Sequence, residues 1–120
     1  MHALIIEPDS WIVLMIEDVL AQLGYESCDC ASSPGEAQRM AREHNPDIIT
    51  SEVHLGGACG FEAVCAACDG RPIPTIFITS TGWQARARSS DLTIVQKPFT
   101  ADALKIAVHL AESRIKPPSG

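Results

Sequence analysis

The sequence predicts an α/β domain: a parallel sheet with helices packed on both faces. Three observations lead there. Short apolar runs, Ala3-Leu4-Ile5-Ile6 and the Ile76-Phe77-Ile78 centre of Thr75 to Thr79, suit strands covered on both sides. Between such runs the apolar residues recur at helical spacing, so strand and helix alternate along the chain. A hydrophobic content of 46% against 20% charged gives a 120-residue chain a core to bury, and the length suits one domain.

The first strand covers Ala3 to Ile6 and ends at an acid. Asp9 or Ser10 caps a helix whose inward face is Ile12, Val13, Ile16, Val19, Leu20 and Leu23, and Gly24 stops it. Tyr25 to Ala31 alternates loosely as a second strand, and Ser33-Pro34 opens a helix running to about Glu43. Asn45-Pro46 breaks that helix, and Asp47 to Val53 follows as the third strand. A loop holding Gly56, Gly57 and Gly60 leads to a short helix over Phe61 to Cys68, ended by Asp69-Gly70-Arg71-Pro72. Thr75 to Thr79 is the fourth strand, Leu92 to Val95 the fifth, and Thr100 to Arg114 a final amphipathic helix. The stretch from Ser80 to Asp91 is short and diluted by Gly82, Ser89 and Ser90, so the fourth helix is expected to be shortened or absent. Residues 1–115 form the domain and 116–120 a tail or linker stub.

Composition excludes several classes. Nine basic against 15 acidic residues give a formal charge of −6 and a pI near 5.0, which disfavours capture of nucleic acid or anionic lipid. No basic and apolar leader opens the chain and no stretch could span a bilayer, so a cytoplasmic location is expected. Five cysteines, an odd number, do not read as a disulfide framework. Cys65 and Cys68, with Cys59 near, have no second pair to complete a zinc site and read as packing. Cys28 and Cys30 read as small apolar strand residues, and His2, His44 and His109 carry no signal.

Right-handed crossovers put the carboxyl ends of parallel strands on one edge, where such folds build their sites. The residues there are Glu7 with Pro8 and Asp9, Glu52 with Val53 and His54, Thr79 with Ser80, and Gln96 with Lys97 and Pro98. Plain structural readings stand beside a site. Glu7 and Asp9 could only cap the first helix, Lys97 could reach out from the surface, and Thr79 could only satisfy local backbone. His54 reads as a solvated loop residue beside Glu52.

From Ala3 to Ala111 the chain resembles the receiver domain of two-component response regulators. The resemblance rests on the order and separation of Leu20-Ala21-Gln22-Leu23-Gly24-Tyr25-Glu26, Asn45-Pro46-Asp47-Ile48-Ile49, Ile76 to Thr79, and Lys97-Pro98-Phe99. It implies a flavodoxin-like fold with a five-stranded parallel sheet in order 2-1-3-4-5. It also implies a site in which two adjacent acids hold Mg²⁺, an Asp after the third strand accepts a phosphoryl group from a histidine kinase, and a hydroxyl and a lysine engage that group. Lys97, Thr79 and Glu7 match. The second acid falls on Pro8, with Asp9 one residue on, and the phosphoacceptor position falls on Glu52.

Both departures strike the reaction. Mg²⁺ demands octahedral oxygen coordination, so a site made of Glu7, Asp9 and Glu52 is expected to be weak or absent. Glu52 adds a methylene to a reaction governed by position, so it is expected to be a poor acceptor whose charge instead reaches Lys97. The expected function is therefore a stand-alone pseudo-receiver acting through protein contacts, without enzymatic turnover. Its partners would be a histidine kinase, a phosphotransfer protein or another regulator, with a homodimer left open, and neither nucleic acid nor membrane. Two alternatives remain: a working phosphoreceiver using Glu52, Ser51 or Asp9, and a small flavodoxin-like nucleotide or flavin binder, which lacks a glycine-rich loop after the first strand. Ile94 stands where most receivers carry an aromatic switch residue. Thr81-Gly82-Trp83 resembles an atypical subgroup, with Trp83 and the last helix as partner surface.

Overall fold

A computed structural model describes residues 1–89 and 91–115, apart from the side chains of Trp83 and Ala87. The expected tail at 116–120 lies outside the described residues. Along the chain run β1 (His2–Ile6), α1 (Ser10–Gln22), β2 (Ser27–Ala31), α2 (Pro34–Glu43), β3 (Ile48–Ser51), β4 (His54–Leu55), β5 (Ala58–Cys59), α3 (Gly60–Cys68), β6 (Thr75–Thr79), α4 (Gly82–Arg88), β7 (Ile94–Gln96) and α5 (Ala101–Ile115). The five main strands pair in parallel in the order β2-β1-β3-β6-β7, which is 2-1-3-4-5 when only they are counted.

The apolar runs become strands because consecutive side chains must find cover on opposite faces. Ala3, Ile5, Ile48, Ile76 and Ile78 meet Val13, Ile16, Val19 and Leu20 of α1 and Leu104, Ala107 and Val108 of α5. Their neighbours Leu4, Ile6 and Ile49 turn to the other face, against α2 and α3. There the helices present Ala37 and Ala41 against Ala63 and Ala67, small side chains that let two helix backbones approach. Phe77 and Ala85 form a third cluster with Phe61, Leu92 and Ile94, so Ile94 packs partly buried where the usual aromatic would stand. The Tyr25 hydroxyl donates to Glu112 at 2.7 Å, tying α5 to the entry of β2.

The helix ends follow their signals. Asp9 is the N-cap of α1, and its Oδ1 accepts from the amides of Trp11 (2.9 Å) and Ile12 (3.4 Å). Ser33 caps α2 by accepting from the amide of Glu36, whose carboxylate returns to the Ser32 amide. The fourth helix is present but brief, seven residues long. The loop after β3 holds a small antiparallel hairpin, β4 with β5, turning at Gly56-Gly57. The sequence predicts only a loop there, because strands of two residues are too short to show periodicity.

Gly60 is fixed by contact. Its amide donates to the Val53 carbonyl at 2.7 Å, and a methyl group added at Gly60 would lie 1.9 Å from the Glu52 carbonyl oxygen. That oxygen belongs to backbone and cannot step aside, so α3 seats against the end of β3 only with glycine there. Gly60→Ala is therefore expected to lower stability by about 1–3 kcal/mol in chemical denaturation. Gly35→Ala, whose added methyl meets nothing within 4 Å, is expected to lack that loss.

Candidate functional site

The backbone ladder runs one residue past each strand and so registers the site. Glu7 donates its amide to the Ala31 carbonyl, Glu52 to Ile6 and Lys97 to Thr79, each at 2.9 Å. Side chains from the ends of β1 and β3 and from just beyond β7 are thereby aimed at one point. There the Lys97 Nζ lies 2.7 Å from Glu7 Oε1 and 3.0 Å from Glu52 Oε1. The three side chains are 15%, 3% and 10% exposed, so the ion pairs are largely withdrawn from solvent.

The remaining carboxylate oxygens are also engaged. Glu7 Oε2 accepts from the Asp9 amide at 3.1 Å. Glu52 Oε2 accepts from the amides of Val53, in a short bond, and of His54 at 3.1 Å. Two carboxylates thus face one ammonium, and each spends its second oxygen on backbone. Burial disfavours the charged form of Glu52, but the Thr79 hydroxyl, the His54 amide and Lys97 outweigh it and hold the carboxyl below its ordinary range. Burial likewise opposes the charge on Lys97, while its bonds to Glu7 and Glu52 carry its pKa above the ordinary value.

Thr79 is fully buried, and its hydroxyl pairs with the Thr81 hydroxyl at 3.1 Å and accepts from the Thr81 amide at 3.2 Å. Thr81 Oγ1 in turn meets His54 Nε2 at 2.8 Å, so the exposed His54 bridges the β4 turn to the entrance of α4. Gln96 is a second clasp on that entrance: its Oε1 accepts from the Gly82 amide at 3.1 Å and its Nε2 donates to the Ser80 carbonyl at 2.6 Å. This gives the Thr81-Gly82 pair a structural reason. The Trp83 side chain, expected on a partner surface, lies outside the described residues.

The structure does not place the Asp9 carboxylate with Glu7 and Glu52 as the sequence analysis expected. Asp9 is exposed and its Oδ1 is committed to the α1 cap, the plainer of its two readings. The Ser51 hydroxyl donates to the Glu52 carbonyl at 2.9 Å and is buried. At the opposite end of the sheet, a group that sequence inspection missed brings His2 Nε2 and His44 Nδ1 onto Asp29 Oδ2 at 2.9 and 3.1 Å. Cys28, Cys30, Cys59, Cys65 and Cys68 are all free thiols.

No family profile matches the chain. It is 28% identical over 119 residues to the transcriptional regulatory protein PdtaR of Mycobacterium tuberculosis, an alignment covering 96% of this chain and 58% of that regulator. The chain thus spans little more than half the length of that curated relative. Among solved structures it is similar to the receiver domain of the PhyR response regulator of Erythrobacter litoralis (TM-score 0.80, 25% identity, 99% of this chain and 95% of that one). It is also similar to the signal receiver domain of a modulated diguanylate cyclase from Desulfovibrio desulfuricans G20 (TM-score 0.78, 28% identity, 94% of each chain). No helix among the described residues is long and apolar enough to cross a membrane.

Removing Lys97 would leave two buried carboxylates facing each other. Lys97→Met is expected to cost about 3–5 kcal/mol at neutral pH, and part of that loss should be recovered by Glu52→Gln in the same chain. The pH signs follow from the two shifts. The lowered Glu52 contributes stability above its ordinary range, and this is lost as pH falls through its folded value. The raised Lys97 contributes below its ordinary range, and this is lost as pH rises through its folded value. Denaturant midpoints measured from pH 7 down to 3 should converge for wild type and Glu52→Gln as acid protonates the carboxylate.

Proposed function

We propose, from the premise that the chain is a receiver domain of the response-regulator family, that it signals through protein contacts from a site already filled by its own charge. The observation that carries this reading is the Lys97 ammonium held 2.7 and 3.0 Å from Glu7 and Glu52. In the family a phosphoryl group on an aspartate would attract that lysine. Here Glu52 stands at the position and reaches the amine directly, through a charge-assisted bond.

The same geometry disfavours phosphate acceptance. The Glu52 oxygens are committed to Lys97 and to two backbone amides, so attack on a phosphoryl donor must first break several bonds. The donor set also fits Mg²⁺ poorly. Each of the two buried carboxylates already meets an ammonium, the neighbouring position is Pro8, and Asp9 serves the helix cap. The PdtaR and PhyR regulators are named as regulatory proteins, and by analogy the partners would be a histidine kinase, a phosphotransfer protein or another regulator. Exposed apolar side chains on neighbouring α1 (Trp11, Leu14) and α5 (Ile106, Leu110) provide a contact surface for them.

The test is intact-mass measurement after incubation with Mg²⁺ and acetyl phosphate or with a phosphorylated kinase. The expected outcome is an unchanged mass. Stoichiometric phosphate addition that vanishes in Glu52→Gln, in Ser51→Ala or in Asp9→Asn would replace this reading with that of a working phosphoreceiver at the residue concerned.

A further inference from the structure

We propose that His2, Asp29 and His44 form a binding site for one divalent cation of the zinc type, at the end of the sheet opposite the Glu7, Glu52 and Lys97 cluster. The inference is independent of how the carboxyl-end site works.

The fold supplies three ligand atoms from three elements. His2 opens β1, with its amide on Asp47 Oδ2 and its carbonyl accepting from the Asp47 amide, both at 2.7 Å. The parallel register sets His2 opposite Ser27, which puts Asp29, two residues further along β2, on the same face. His44 ends α2, its amide bound to the Met40 carbonyl at 2.9 Å. One ligand atom from each of His2, Asp29 and His44 lies within 4.8 Å of the others, and His2 Nε2 and His44 Nδ1 stand 2.9 and 3.1 Å from Asp29 Oδ2. A tetrahedral ion at roughly 2.0–2.1 Å from nitrogen and oxygen ligands sets them about 3.3 Å apart, so the two nitrogen–oxygen separations need open only by tenths of an ångström.

The donors also suit that ion chemically. Two imidazoles and one carboxylate are the mixture that borderline cations such as Zn²⁺ and Co²⁺ take, whereas Mg²⁺ and Ca²⁺ prefer oxygen alone. Ser27 Oγ meets His2 Nδ1 at 2.7 Å, the outer-shell bond that fixes which ring nitrogen faces a metal. At present both histidines can donate to Asp29. On binding, His2 would carry its proton on Nδ1, which Ser27 can accept, and turn the Nε2 lone pair to the cation. His2 and Asp29 are largely covered while the His44 side chain is 64% exposed, which leaves water a place in the coordination shell. An ion there would clip the start of β1 and edge strand β2 to the end of α2.

The experiment uses the full chain, freed of metal with a chelator that is then dialysed away and kept reduced by a phosphine. Zn²⁺ is titrated calorimetrically and Co²⁺ by visible absorption. The expected result is one equivalent bound, a Co²⁺ spectrum without a thiolate charge-transfer band, and a rise in Tm with added Zn²⁺. His44→Ala, at an exposed position that does not endanger folding, should weaken binding roughly tenfold or more. His109→Ala, on the remote exposed histidine near Glu112, should leave it unchanged. Absence of binding, equal affinity in His44→Ala, or a thiolate band assigning the ion to cysteines would overturn the proposal.

Discussion

The pairing of one ammonium with two buried carboxylates organises the working end of this domain. Lys97, Glu7 and Glu52 come from segments far apart in sequence, and each is fixed by a backbone bond to a neighbouring strand. Charges so covered are tolerable only while they are paired and hydrogen-bonded. The ends of β1, β3 and β7 are therefore held by a constraint that hydrophobic packing alone would not impose.

Much of the framework could be read directly. Ala3 to Ile6 and Ile76 to Ile78 are apolar and buried at every position, and only a sheet covered on both faces gives each of them a neighbour. Cap residues Asp9 and Ser33 marked two helix starts because an unpaired amide at a helix end needs an acceptor. Other features were not legible because their signals are short. The β4 and β5 strands are two residues each, too brief for periodicity, and α4 gathers its stability from Ala85 and from the Gln96 clasp more than from any pattern.

The site divides along the same line. Glu7, Glu52 and Lys97 were legible because parallel topology forces strand ends together. Asp9 was ambiguous because one carboxylate suits both a pocket and a cap, and the nearer amides of Trp11 and Ile12 took it. The opposite cluster was invisible because His2, Asp29 and His44 share no spacing motif. Their meeting depends on the register of β1 with β2 and on where α2 ends, quantities that no local window of sequence contains.

The length of Glu52 links the charge cluster to the outer surface. Its Oε1 faces Lys97 while its Oε2 turns back to the amides of Val53 and His54, so the carboxylate spans the interval between the lysine and the β4 turn. His54 continues the path through its ring to Thr81, and Thr81 holds Thr79 at the entrance of α4. An added positive or negative charge at Glu52 therefore acts on the same bonds that position this entrance. Polar side chains carry the connection, with Thr81 bonded on one side to His54 and on the other to Thr79. With Ile94 packed among Phe77 and Leu92, this polar route joins the Gln96 clasp in connecting the site to the entrance of α4.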